Sequence, residues 1–133
     1  MNADRLQQLA NERRADVITM IHRAGAGHIG GSMSELDLLT VLFYDVMRVD
    51  ANNPRREDRD RFFLSKGHSV EGYLAVLADL GFFPKEELRT FSQDGSRLIG
   101  HPTTQVPGVE LCTGALGHGL SNLPEPDNAQ HAA

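Results

Sequence analysis

A short apolar run that leads directly into a polar, glycine-bearing turn is the feature that most constrains how this chain can fold. Residues 62–64, Phe-Phe-Leu, follow a charged stretch and precede the turn Ser-Lys-Gly-His-Ser at 65–69. An apolar run bounded in this way is typical of a buried strand in a parallel sheet. From Val70 the apolar residues recur at helical spacing. The pattern therefore predicts a strand, a turn and a helix in succession.

The position of His68, between the predicted strand and the predicted helix, indicates a ligand-binding turn. A helix N-terminus offers unpaired N–H groups and a partial positive charge, which suit a phosphate. Ligands of parallel α/β proteins also collect beyond the carboxyl ends of the strands. His68 is then placed to donate a hydrogen bond to an anion. A surface histidine without a ligand is the alternative, and this segment alone does not decide between the two.

Composition and charge limit the class of protein. The chain has 133 residues, 40% of them hydrophobic and 23% charged, which predicts one soluble globular domain. A net charge of -5 argues against nucleic acid or an anionic membrane as the main partner. The single Cys112 cannot form an internal disulfide, and neither a signal peptide nor a membrane-spanning apolar run is evident. The expected location is the cytoplasm.

Helical spacing and turn residues predict the remaining elements. Apolar residues predict an amphipathic helix over 3–24, which the glycine-rich segment 25–31 ends. Ser34 and Asp37 resemble a capping pair that opens a second helix. Further predictions are a solvated loop at 50–60, a helix at 70–80, a short helix after Pro84 and a second strand at 109–112.

These elements predict an α/β fold with an incomplete parallel sheet and flanking helices. We expect residues 1–121 to form this partial domain. Residues 122–133 are polar and contain Pro124 and Pro126, which would interrupt a helix, so we expect a disordered tail.

The segment Gly-Ala-Gly-His-Ile-Gly at 25–30 satisfies the dinucleotide-binding pattern G-x-G-x-x-G, and Asp50 lies twenty residues after its last glycine. This match makes an NAD(P)-binding Rossmann oxidoreductase an alternative. The pattern requires a strand that runs directly into the first glycine. Here the residues before Gly25 have helical periodicity, which disfavours that interpretation.

Four histidines lie in glycine-bearing turns, where backbone can approach a ligand closely: His28, His68, His101 and His118. A zinc site built from them is an alternative, but short-range ligand pairs such as H-x-x-x-H are missing.

Cys112 and Lys66 are two further side chains with reactive groups. Cys112 has the apolar neighbours Leu111 and Leu116, which predict a buried, inert thiol. Lys66 could contact a phosphate, but a solvated lysine is the commoner state of this residue type.

Five segments in order resemble the N-terminal part of transketolases, and most closely the N-terminal subunit of split transketolases. They are Gly-His-Ile-Gly-Gly-Ser at 27–32, Asp-Arg-Phe-Phe-Leu-Ser-Lys-Gly-His at 60–68, Pro-Lys-Glu-Glu-Leu at 84–88, Gly-His-Pro at 100–102 and Thr-Gly-Ala-Leu-Gly-His-Gly-Leu-Ser at 113–121. The resemblance covers roughly residues 10–121, and the order and spacing of the segments make it specific.

The resemblance implies an enzyme that binds thiamine diphosphate with Mg²⁺ and transfers a two-carbon ketol unit between sugar phosphates. It implies that His28 and His101 contact donor-sugar hydroxyls and shuttle protons, and that His68 contacts the diphosphate. The segment Gly114, Ala115 and Leu116 matches a family loop that passes close to the cofactor. The implied partners are a C-terminal transketolase subunit or a second copy of the chain.

The sequence departs from the family pattern at three places. His118 stands where glutamine is usual, and Thr103 stands where an acid is common. The Gly-Asp-Gly motif that supplies metal ligands in the family does not follow residue 121. We therefore expect an N-terminal fragment that is inactive alone and binds the cofactor weakly. A non-catalytic partner of an intact transketolase remains an alternative.

Overall fold

The computed structural model describes residues 1–123, which form helices joined by loops. Helix α1 spans Ala3–Ala24, and α2 spans Ile29–Val41 and continues into a π-helical turn, Leu42–Val46. A 3-10 turn, Gly67–Ser69, leads into α3, Val70–Asp79, and a 3-10 helix follows at Lys85–Thr90. Helices α1 and α2 both pack against α3. None of the described helices is both long and apolar enough to cross a membrane.

Helix α1 confirms the helix predicted over residues 3–24, and local signals set both of its ends. The Asn2 side chain accepts a hydrogen bond from the Arg5 N–H at 2.9 Å, which caps the first turn. Gly25 has a φ of 68° and donates its N–H to the Ile21 carbonyl at 2.9 Å. A glycine in this left-handed conformation is a common end of a helix. Because a helix and not a strand precedes Gly25, the dinucleotide-binding interpretation is wrong.

Helix α2 begins at Ile29, five residues before the predicted cap at Ser34. The sequence pattern placed the start too late because Gly30 and Gly31 have poor helix propensity. One distant and one local contact stabilise this first turn. The Lys66 ammonium donates to the Gly31 carbonyl at 3.0 Å from 35 residues along the chain, and Ser34 Oγ donates to the same carbonyl at 2.9 Å.

Helix α3 is the centre of the core. The predicted helix at 70–80 is confirmed, but every residue from Val70 to Ala78 is buried, and not only one apolar face. Neighbouring helices and loops cover it on all sides. Tyr73, which is 1% exposed, contacts the rings of Phe43 and Phe62 at centroid distances of 5.6 and 5.1 Å. Through Phe62, this aromatic cluster packs the segment 62–64 against α3 and the π-helical turn.

Two serine–glutamate hydrogen bonds cross between α2 and the segment that contains the 3-10 turn and α3. Ser32 Oγ on α2 donates to Glu71 Oε2 on α3 at 2.8 Å. Ser69 Oγ donates to Glu35 Oε2 on α2 at 2.7 Å, and Lys66 Nζ lies 3.3 Å from the same oxygen. Burial raises the pKa of Glu35 despite these two contacts. We call this set of four residues, Ser32, Glu35, Ser69 and Glu71, the serine–glutamate clamp.

The two predicted strands are absent from the described part of the chain: residues 62–64 and 109–112 have no regular secondary structure, and residues 1–123 contain no strand. The segments do approach each other, because Thr113 Oγ1 donates to the Leu64 carbonyl at 2.7 Å. A strand requires a backbone hydrogen-bond ladder with a neighbour. A side-chain contact does not replace that ladder, so the predicted parallel sheet is not formed here.

The predicted disordered tail lies almost entirely outside the described residues. Asn122 and Leu123 continue a turn, with the Asn122 N–H donating to the His118 carbonyl at 3.2 Å. Residues 124–133 are not described.

We expect Gly108→Ala to destabilise the protein more than Gly95→Ala does. Both glycines have positive φ, 90° and 78°, so alanine costs each site about 1–2 kcal/mol of backbone strain. A Cβ at Gly108 would also lie 2.7 Å from Phe82 Cδ1 and 2.9 Å from Leu77 Cδ2, whereas a Cβ at Gly95 meets nothing within 4 Å. Crowding the core should add about 1–3 kcal/mol. Urea unfolding of both variants measures the difference, and equal losses would contradict this packing.

We expect Glu35→Gln to raise the free energy of unfolding at neutral and alkaline pH. Because burial raises the folded-state pKa of Glu35, the ionised carboxylate destabilises the fold, and protonation at low pH removes that cost. The gain from glutamine should therefore shrink as the pH falls to about 4, near the unfolded pKa of a glutamate. Urea unfolding across this pH range measures it. Glu86→Gln, at an exposed position, is the control; a gain independent of pH would contradict the assignment.

Candidate functional site

Three histidine rings from three separate parts of the chain lie close together. His28 precedes α2, His68 lies in the 3-10 turn before α3, and His101 lies in the loop after the second 3-10 helix. The ring centroids of His28 and His68 are 5.5 Å apart, and those of His28 and His101 are 6.2 Å apart. His28 and His101 are exposed and His68 is half-buried. The rings form a cluster that a ligand can reach from solvent.

The first turn of α2 holds the His68 turn at close range. A Cβ at Gly31 would lie 3.1 Å from the Ser69 Cβ and 3.5 Å from His68 Nε2. Ser69 also donates to the Lys66 carbonyl at 2.7 Å, which stabilises the turn itself. The small residue at position 31 therefore lets His68 lie directly beside the helix that follows His28.

Lys66 is neither fully solvated nor free. Its side chain is 38% exposed, and its ammonium contacts the Gly31 carbonyl, Ser34 Oγ at 3.3 Å and the Glu35 carboxylate. The lysine is therefore solvated in part, as expected, but it also contacts protein groups. The cation lies two residues before His68, and Glu35 neutralises part of its charge.

The segment 113–119 packs across the turn that contains His68. The Thr113 hydroxyl bonds to the Leu64 carbonyl, and the Gly119 N–H donates to Ser65 Oγ at 3.1 Å. A Cβ at Gly119 would lie 2.7 Å from the Ser65 Cβ, so only glycine fits against that residue. The turn at 65–69 and the segment 113–119, which are far apart in sequence, therefore form one surface.

Two more glycines, Gly67 and Gly114, lie where these segments approach each other and His101 closely. A Cβ at Gly67 would lie 2.9 Å from the carbonyl carbon and oxygen of Thr113, and a Cβ at Gly114 would lie 3.3 Å from His101 Cδ2. Gly67 is buried against the Thr113 backbone, so this glycine lets the two segments pack together, whereas the backbone at Gly114 is exposed beside His101. Imidazole N–H groups can donate hydrogen bonds to an anion, and an exposed glycine lets a ligand approach the backbone closely.

Ala115, Leu116 and His118 lie on the same segment as Gly114 and are exposed, Leu116 by 63%. The His118 N–H donates to the Ala115 carbonyl at 3.2 Å, which closes a turn. The segment predicted to approach the cofactor therefore touches the cluster at Gly114, and Ala115 and Leu116 point their exposed surface to solvent beside it.

Cys112 is exposed, so the prediction of a buried, inert thiol is wrong. Of its apolar neighbours, Leu111 is half-buried and Leu116 is exposed. The Thr104 N–H donates to Cys112 Sγ at 3.4 Å. Hydrogen bonds from Thr104 lower the pKa of the Cys112 thiol because they stabilise the thiolate.

Residues 1–123 hold no group of three or more His, Cys, Asp or Glu side chains arranged to bind a metal ion. The four-histidine zinc hypothesis is therefore not supported in this part of the chain.

Sequence reasoning missed Glu71, which lies directly below His28. Glu71 Oε1 accepts a hydrogen bond from the His28 backbone N–H at 2.7 Å, and its side chain is 0% exposed. The signal was a glutamate within the otherwise apolar run of α3, three residues after His68. A charged residue is rarely buried unless it is paired, so such a glutamate indicates a specific polar partner.

Comparisons with known proteins agree with the predicted resemblance. The sequence model of the family described as "Transketolase, thiamine diphosphate binding domain" matches residues 5–132. The chain is 46% identical over 121 residues to one subunit of the apulose-4-phosphate transketolase of Phocaeicola vulgatus, a match that covers 91% of the chain and 43% of that protein. It is 39% identical over 117 residues to the 6-deoxy-6-sulfo-D-fructose transketolase subunit SqwG of a Clostridium species, covering 87% of the chain and 42% of that protein.

A solved structure shares the fold. The transketolase of Campylobacter jejuni superposes with a TM-score of 0.82 at 36% sequence identity, over 92% of this chain and 19% of that one. The chain therefore spans less than half the length of the relatives it matches. The match to the family model, together with these identities, shows that the chain belongs to the transketolase family, as part of its thiamine diphosphate-binding domain.

Proposed function

We propose that this chain forms the diphosphate side of a thiamine diphosphate site in a transketolase, assembled with a C-terminal transketolase subunit. The observation that carries the proposal is the convergence of His28, His68 and His101 beside Gly114, within a chain of this family. Relatives named as transketolase subunits support an assembly of more than one chain.

His68 is the residue we assign to the cofactor diphosphate. It precedes the N-terminus of α3, where unpaired N–H groups and the helix dipole favour an anion. The Lys66 ammonium lies on the same turn and adds positive charge. Gly114 is exposed and has no side chain, which fits a ligand that must approach the backbone closely. We assign Ala115 and Leu116, on the same segment, to the wall beside the cofactor.

His28 and His101 are the residues we assign to the donor sugar. Both rings are exposed and lie on the solvent side of the cluster, where they can bond to sugar hydroxyls and transfer protons. When bound, thiamine diphosphate supplies the carbon nucleophile and the electron sink for the transfer of a two-carbon unit. The residues of this chain bind, orient and exchange protons with the substrate.

The substrate class that we propose is a phosphorylated ketose donor with a phosphorylated aldose acceptor. The relatives are named for different sugars, so the family match does not select one. Mg²⁺ accompanies the diphosphate in this family, and this ion is usually held by one or two carboxylates together with water and phosphate oxygens.

We expect His68→Ala to weaken thiamine diphosphate binding by about tenfold or more, because a diphosphate oxygen loses a hydrogen-bond donor. Titration calorimetry with thiamine diphosphate and Mg²⁺, on the chain assembled with its cognate C-terminal subunit, measures the dissociation constant. His22→Ala is the matched control, since His22 is an exposed histidine in the last turn of α1. An unchanged dissociation constant in the His68 variant would remove His68 from the cofactor site.

We expect His28→Asn and His101→Asn each to lower kcat/KM for the donor fructose 6-phosphate, with a phosphorylated aldose as the acceptor, by about 100-fold or more, because proton transfer and sugar orientation are lost. The dissociation constant for thiamine diphosphate should change little, since neither residue is assigned to the diphosphate. Steady-state kinetics on the same assembly measure the first quantity and calorimetry the second. Full activity in both variants would contradict these two assignments and favour a non-catalytic partner subunit.

A further inference from the structure

We propose that Glu71 is a positioning residue that sets the place of the His28 ring through the His28 backbone. This inference rests on the proposed function, because it gives a role to a residue behind the site. Glu71 lies in the buried helix α3, and no part of the sequence resemblance included it.

Both oxygens of the Glu71 carboxylate bond to one short segment, the turn before α2 and the first turn of that helix. Oε1 accepts from the His28 N–H at 2.7 Å, and Oε2 accepts from Ser32 Oγ at 2.8 Å. Hydrogen bonds to an ionised acceptor are shorter and stronger than neutral ones. A side chain that is 0% exposed and held at both oxygens has little freedom to move. It therefore fixes the start of α2 from the interior.

The backbone on the other side of His28 also lies against this carboxylate. A Cβ at Gly27 would lie 2.9 Å from Glu71 Oε1 and 2.6 Å from Ile21 Cγ1. Only a residue without a side chain fits at this position. The turn between α1 and α2 thus packs directly against Glu71 just before His28.

The short contact is to the His28 backbone, and the contact to the ring is long. His28 Nδ1 is 3.8 Å from Glu71 Oε1, beyond hydrogen-bond distance, and the His28 side chain is 49% exposed. Water screens a charge at an exposed ring. Glu71 therefore acts on His28 by holding its backbone in place, and not through the charge of the carboxylate on the ring. A displacement of about 1 Å in a substrate-positioning group can cost about 100-fold in rate.

Two substitutions of similar length separate the hydrogen bonds from the charge. Glu71→Gln keeps an oxygen that accepts from the His28 N–H and gains an amide that can donate to Ser32 Oγ, while the charge is lost. Glu71→Met fills a similar volume but offers the His28 N–H no adequate acceptor. If position is what matters, the glutamine variant should resemble the native chain and the methionine variant should not.

The first readout requires no activity and is made on the full chain. Hydrogen exchange of the His28 amide, followed by ¹⁵N–¹H NMR, should be slow in the native chain although the ring is exposed. We expect exchange to remain slow in Glu71→Gln and to accelerate by about tenfold or more in Glu71→Met, because the hydrogen bond is lost. An unprotected His28 amide in the native chain would overturn the proposal without any variant, even if the methionine variant fails to fold.

The second readout is a double-mutant cycle with fructose 6-phosphate as donor and a phosphorylated aldose as acceptor, on the chain assembled with its cognate C-terminal subunit. We expect Glu71→Met to lower kcat/KM by about 100-fold in the native background and to have almost no effect when His28→Asn is present. Glu71→Gln should stay within a few-fold of native. A glutamine variant as impaired as the methionine variant, or a methionine effect that persists without His28, would overturn the positioning role. If His28→Asn itself has no effect on activity, the proposed function fails, whereas the exchange experiment still tests the contact.

Discussion

The serine–glutamate clamp is the interaction on which the rest of the site depends. It joins residues 39 positions apart in one pair and 34 in the other, so it fixes α2 against the 3-10 turn and α3. His28 is the residue just before α2, and His68 lies in the 3-10 turn. Burying a carboxylate costs several kcal/mol, and hydrogen bonds to charged groups return only about 1.5–3 kcal/mol each. The clamp is therefore better explained by the geometry that it imposes than by a gain in stability.

Close packing of glycines is the second constraint on the site. Gly67 and Gly119 let the segment 113–119 lie against the His68 turn, and Gly114 lets the same segment meet His101. A methyl group at Gly67 or Gly119 would collide with backbone or with a short side chain, so the neighbour could not move aside. The clamp fixes how α2 lies against α3, and the glycines let the loops pack closely against each other. Together they bring the three imidazoles to one place on the surface.

The residues of the cluster show a division between polar groups that hold the site and polar groups that face solvent. Glu71 and Glu35 lie in the interior, where they accept hydrogen bonds from serine hydroxyls and a backbone N–H, and Glu35 also pairs with Lys66. His28 and His101 remain exposed to solvent. The buried carboxylates lie behind the cluster, and the histidines and Lys66 lie nearer to solvent. This arrangement fits a thiamine diphosphate-binding domain of the transketolase family.

Several features could be predicted from the sequence because they depend on residues near one another in the chain. Asn2 and Gly25 set the ends of α1 by contacts within a single helical turn, and the turn at 65–69 leads into α3 as expected. The family could also be identified, because the order and spacing of its glycine and histidine segments are properties of the chain itself.

Other features were decided only by contacts between distant residues. Helix α2 starts before its local cap because Lys66 and Glu71 stabilise a turn that glycines would otherwise weaken. The predicted strands have no regular structure because a strand depends on a neighbour that supplies a backbone ladder. Thus the sequence alone determined the helices with local caps and the family, whereas the tertiary structure decided the start of α2, the burial of Glu71 and the meeting of the histidines. The physical reason is that propensity and capping act within a few residues, but burial and hydrogen bonding across 34 to 43 positions exist only once the chain has folded.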